Sequence, residues 1–308
     1  MEQGSLDGTT AVRDVHRVGS LGALKIGFVA HLEGNPCEAP ADFLAAVRAT
    51  GLQFSAINPP RGKQRPWSAA ALESTLALHV ASRFGARTLL VDQARAKLHG
   101  GVSALRLTTP LSSEAAYPST VEVFWALGAG RAVPRRATFD AIVEHLARAC
   151  PVRVATAGLV WFGIERPMLK DAPRVAEELL AHLRQYPHAH VSHRAKLDTT
   201  AHGLDPGCWS FLGSKHSRLQ AEPGRLASFS PRSFAGGVSV ALADEPPVAS
   251  SPESLARHAA LATALGPLYP AQPTSRLLGS VSIPGHAGFD LPQWLARYRD
   301  LEFLRALS

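Results

Sequence analysis

A chain of 308 residues, 46% apolar and 19% charged, can bury one large core or two modest ones and is far from the composition of disordered chains. Its net charge of +7 comes mostly from arginine, yet Arg135-Arg136 is the only adjacent pair of cations and no basic stripe is interleaved with aromatics, which argues against nucleic-acid binding. No apolar run reaches the about 18 residues of a spanning helix, so no membrane partner is expected.

Residues 1–22 are polar and glycine-rich, without the apolar core of a secretory leader; they read as a flexible N-terminal segment of a cytoplasmic protein. The rest, 23–308, reads as the folded domain, and any division into two subdomains falls near 190–205. LKIGFVA (24–30) has strand character, and ADFLAAVRATG has helical spacing ending at Gly51. In NPPRGKQRPWS (58–68), prolines, a glycine and the cations Arg61, Lys63 and Arg65 predict an exposed loop with Trp67 at its far end. ALESTLALHVASRF reads as helix. ARTLLVD, VSALRLT and STVEVFWAL read as strands, the last long enough for the middle of a sheet. In TFDAIVEHLARAC the residues Phe139, Ile142, Val143, Leu146 and Cys150 recur at helical steps, with Thr138 placed to cap and Pro151 to stop the run.

VRVATAGLVWFG returns as strand, and DAPRVAEELLAHLRQYP as a helix with Val175, Leu179, Leu183 and Tyr186 on one stripe. Beyond residue 200 the strand candidates shorten to CWSFLG, RLASFS and GGVSVALAD. SPESLARHAALATALGP then reads as a helix capped by Ser251, begun by Pro252 and ended at Gly266-Pro267. FDLPQWLARYRDLEFLRAL closes the chain as an amphipathic helix with Trp294, Leu295, Tyr298 and Leu301 turned inward. Irregular alternation with hairpin-length gaps predicts a mixed α+β fold: one or more largely antiparallel sheets with packed helices.

Phosphate-binding glycine loops, H-E-x-x-H and G-x-S-x-G are absent. Three weaker constellations remain. In HAHVSH, His188 and His190 would share one face of a strand and could bind a metal, with His193, His202 or Asp205 supplying the rest, although a loop start at Pro187 and thirteen histidines overall favour chance proximity. Cys208 with His202 or His216 and Asp198 or Asp205 would suit a base-activated thiolate, but beside Trp209, Phe211 and Leu212 the cysteine reads as a small buried hydrophobe. Glu33, Asp92, Glu122 and Glu165 near strand ends could pair for acid-base work; charges that protect sheet edges are the ordinary explanation. Cys37, Cys150 and Cys208 lie too far apart for a C-x-x-C motif and suit a reducing compartment. No catalytic residue, metal or cofactor is assigned.

In its order of pieces the chain resembles the type VI secretion immunity-protein family. KIGFVAHLEG resembles that family's opening strand, PSTVEVFWAL its strand with a Phe-Trp pair, and AGLVWFG the next strand; DPGCWSFLGSKHSRL looks like the segment introducing the C-terminal half, and FDLPQWLARYRD like the closing helix. The resemblance covers roughly residues 24–303. It implies a non-catalytic protein that binds and occludes a cognate secreted toxin, with Trp209, Phe211, Leu212 and Gly213 as framework. The overall positive charge departs from an acidic mimic of nucleic acid. Under that reading, loop residues Arg61, Lys63, Arg65 and Trp67 are the first candidate contact surface, and Arg131, Arg135 and Arg136 the second. The alternative is a hydrolase or metal-dependent enzyme using the His188 to Cys208 region.

Overall fold

The computed structural model describes residues 24–82, 85–92, 103–110, 118–126, 133–161, 190–191, 202–222, 224–234, 236–246, 251–266, 297–299 and 302. Its organising strand is β1 (Leu24–Leu32), in which Ile26, Phe28, Ala30 and Leu32 alternate with Lys25, Gly27, Val29 and His31, so that one face meets the main core. β1 pairs antiparallel with β6 (Ser119–Ala126) on one side and with β7 (Val152–Trp161) on the other. Beyond β6 lie β5 (Ser103–Thr109), β4 (Ala86–Asp92), β2 (Ala56–Asn58) and the edge strand β3 (Arg65–Pro66). Beyond β7 lie β9 (Trp209–Gly213), β11 (Gly237–Ala241) and the opposite edge β10 (Arg232–Phe234). The two-residue β8 (His190–Val191) runs parallel to β7; the other pairings among the described residues are antiparallel. The architecture is therefore α+β, with helices on a large and mostly antiparallel sheet, as the sequence pattern predicts.

Three helices cover the face that carries Phe28, Leu105, Val123 and Ala155. They are α1 (Pro40–Ala49), α2 (Ala69–Ala81) and α3 (Arg136–Ala149), whose buried stripes include Phe43 and Val47, Leu72 and Leu76, and Phe139, Ile142 and Leu146. Gly51, at φ +67°, lets the chain leave α1 in the left-handed region a side chain disfavours. Rings of Phe28, Phe139, Trp125, Trp209 and Phe211 pack with neighbouring centroids 5.7 to 6.4 Å apart, forming an aromatic cluster within this core. The opposite face over β7, β9 and β11 is closed by a second cluster in which Val154, Leu212 and Val240 meet Leu204, Leu226, Phe229, Leu261 and Leu265. The last two come from α5 (Pro252–Leu265), whose cap is as predicted: Ser251 accepts from the Ser254 amide, Pro252 begins the helix, and Gly266 ends it at φ +56°. The short α4 (Ser217–Ala221) follows β9.

Several local expectations are corrected. Thr138 does not cap α3, which begins two residues earlier with Arg135 at the cap position and no side-chain hydrogen bond there. The stretch RLASFS is not a strand: Ala227–Phe229 form a 3-10 turn and Ser230 takes φ +48°, so the chain reverses before β10. Residues 58–68 are not wholly loop, because Arg65 and Pro66 pair with Ile57 and Ala56. The closing segment is described at the 3-10 turn Arg297–Arg299, where Tyr298 is buried as expected; the predicted helix over 171–187 lies outside the described residues.

Candidate functional site

The edge of the sheet at β3 presents the first candidate surface. Ala56 and Ile57 extend the sheet beyond β4, and Pro60 and Gly62 turn the chain back so that Arg65 and Pro66 form its last rung. Arg61, Lys63 and Arg65 are exposed, and among the described residues none of these side chains makes a hydrogen bond or ion pair. Proline at the final position removes an amide donor from the rim, which disfavours indiscriminate strand addition. Trp67 differs from its neighbours. Its ring lies 5.5 Å from that of Phe54 and is half-buried against the core, while its backbone amide donates to the Ser55 carbonyl. Three cations thus face solvent around an indole that offers only part of its surface.

The second candidate group divides. Arg135 is exposed and pairs with the exposed Glu245 at 2.8 Å. Arg136 is spoken for inside the fold: its guanidinium donates to the Ser230 carbonyl at 2.8 Å, and its Nε lies 3.6 Å from the Asp140 carboxylate. Arg131 lies outside the described residues.

Asp140 is the centre of a buried network. It accepts from Trp209 Nε1 at 2.8 Å, from Ser239 Oγ at 2.8 Å and from Arg232 at 2.9 Å, so α3, β9, β10 and β11 converge on one carboxylate. This accounts for the chemistry-rich stretch CWSFLG. Each residue of β9 is buried, Trp209 anchors to α3, and Cys208 donates to the Ala157 carbonyl at 3.3 Å. Burial pushes the Cys208 thiol up to about 12, so it is held as a neutral thiol. Of its suggested partners, Asp205 is held by the fully buried Arg297 at 3.1 Å, and His202 Nδ1 contacts the Gly266 carbonyl at 3.0 Å. His188, His193 and Asp198 lie outside the described residues, whereas His190 lies in β8. Among the described residues no three of His, Cys, Asp and Glu cluster as a metal site, and no helix is long and apolar enough to cross a membrane.

The carboxylates near strand ends also fall into place. Glu122 does not protect an edge: it lies in the sheet's interior in β6, buried, and its carboxylate takes both ends of the Arg106 guanidinium from the residue directly opposite in β5. The cross-strand register supplies the cation that makes a charge tolerable there. Asp92 is buried at the end of β4, Glu33 is exposed just past β1, and Glu165 lies outside the described residues.

Sequence reasoning did not bring Glu33, Arg153, Lys215 and His216 together. They border one cleft at the end of the sheet, formed where β1 stops, β7 starts and β9 turns. Its sequence signal is the β9 turn GSKH, visible only once β9 and β7 are known to be neighbours.

No protein-family model matches the chain, and no curated protein matches it. Among solved structures, the Pseudomonas aeruginosa T6SS protein PA0821 is similar over 92% of this chain and 84% of its own, with a TM-score of 0.64 and 16% sequence identity. At that identity the likeness is one of fold.

Proposed function

We propose that the chain is an immunity-type binding protein of a type VI secretion system, one that associates with a cognate antibacterial effector protein and covers its working surface. The observation that carries this reading is the fold likeness, over nearly the whole chain, to a T6SS protein. It agrees with the resemblance seen independently in KIGFVAHLEG, PSTVEVFWAL and CWSFLG. The unpaired cations Arg61, Lys63 and Arg65 on the β3 edge supply recognition and steer an acidic partner surface toward the chain. Arg135 adds to the same role, with its partner Glu245 exposed enough to exchange for another carboxylate. Occlusion requires no reacting group, only a preformed surface: stable complexes bury on the order of 1,600 Å² and draw their energy from a few anchors. The reading places the protein in the cytoplasm, a reducing compartment that suits the free thiols of Cys37, Cys150 and Cys208.

The test is complex formation with the effector encoded beside this chain's gene. The purified pair is expected to co-elute in size-exclusion chromatography at micromolar concentration. Separate elution of two folded proteins would contradict the proposal.

A further inference from the structure

The cleft bordered by Glu33, Arg153, Lys215 and His216 has a volume of about 240 Å³, room for one side chain. Arg153 is delivered to it by a β-bulge. His31 of β1 faces Val154, and Leu32 faces Val152, so Arg153 has no partner across the ladder. Bulges of this kind re-aim a side chain. Among the described residues, the Arg153 Nε is buried without a hydrogen-bond partner, and neither Arg153 nor Lys215 forms an ion pair with Glu33 or another acid. Gly213 and Gly236 also line the cleft, where a side chain at Gly213 would meet the Val152 carbonyl oxygen at 2.1 Å and one at Gly236 the Ala147 Cβ at 2.8 Å. His216 Nδ1 accepts from the Arg218 amide at 3.3 Å, so in the neutral ring the proton sits on Nε2.

We infer that this cleft is a socket for a single carboxylate, filled by an acidic side chain of the protein partner. The partner half of this inference rests on the function proposed above. Arg153 and Lys215 outnumber Glu33 by one positive charge, which suits a carboxylate, whereas a phosphate of nearly two charges would be opposed by Glu33. A planar guanidinium at the cleft wall offers N–H donors in a fork that matches a carboxylate's two oxygens. The chain's net charge of +7 favours an acidic partner surface around that side chain.

Two arms test it. In the first, the full chain is titrated with N-acetylglutamate amide while the Arg153 Nε–H and the Gly213 and Gly236 amides are followed by NMR. Saturable shifts in the millimolar range are expected, weakened about tenfold in Arg153→Gln and in Lys215→Glu. Absence of saturation, equal response in the variants, or a stronger response to inorganic phosphate overturns the carboxylate assignment. In the second, both variants are measured against the neighbouring effector. A loss of affinity of about tenfold or more is expected in each, with thermal unfolding of the exposed-site variant Lys215→Glu unchanged. Unchanged affinity overturns the socket while leaving the immunity reading standing. If the unaltered chain binds no effector, the immunity reading falls and takes the partner half with it, and the first arm alone decides what the cleft accepts.

Discussion

Asp140 shows how much of this fold hangs on one side chain. Trp209, Ser239 and Arg232 donate to it from three strands, and the carboxylate is buried. Removing it leaves those donors without their acceptor, so Asp140→Ala is expected to cost about 3–5 kcal/mol, read as a fall of roughly 10 °C in Tm. Asp140→Asn should cost less, since one amide oxygen still accepts. Two histidines set a pH response. Burial lowers both His31 and His79 from the ordinary 6.5 to about 4; Arg153 adds to the effect at His31 while Glu122 opposes it. His79 sits neutral between Thr109 and Thr88 at 3.0 and 2.7 Å. The unfolded chain therefore takes up protons that the folded chain refuses as pH falls below 6.5. Stability is fully present above that value and declines toward pH 4, by up to about 3 kcal/mol for each histidine. Urea midpoints at pH 7 and pH 5 should differ clearly in the unaltered protein and much less in a His31→Gln, His79→Gln variant.

At the scale of elements, the junction of β1, β7 and β9 depends on close backbone approach. Gly207 donates its amide to Thr156 Oγ1 at 2.9 Å, and a Cβ there would lie 1.9 Å from the Ala157 carbonyl oxygen. Gly207→Ala is expected to destabilise by more than the about 1 kcal/mol of a typical point substitution, because backbone must move; Gly224→Ala, in open space, should be nearly silent. Thermal melts of the two variants make the comparison. The strands at this junction were legible because period-2 alternation and β-branched runs are local properties. So was α5, whose Ser251, Pro252 and Gly266 carry their own start and stop signals. The corrected pieces are those decided at a distance. Glu122 resembles an edge charge until register puts Arg106 opposite it, and RLASFS has strand composition although the chain must reverse there to reach β10. Nothing local to Arg153 marks it either, since its bulge exists only in the pairing of β1 with β7.

The described residues form a broad sheet with helices over one face and a second apolar layer over part of the other, with the basic rim of β3 at one edge. Under the proposed function that rim governs how quickly the partner arrives. Arg61→Glu, Lys63→Glu and Arg65→Glu combined should lower the association rate about tenfold or more at low salt and flatten its salt dependence, with little change in Tm because all three side chains are exposed and unpaired. Trp67→Ala should act differently, lowering Tm through lost packing on Phe54. Protection by covering a toxic protein is read out in growth. Cells producing the neighbouring effector in active form are expected to die without this chain and to grow normally when it is co-produced. Equal killing with and without the folded chain would contradict the account.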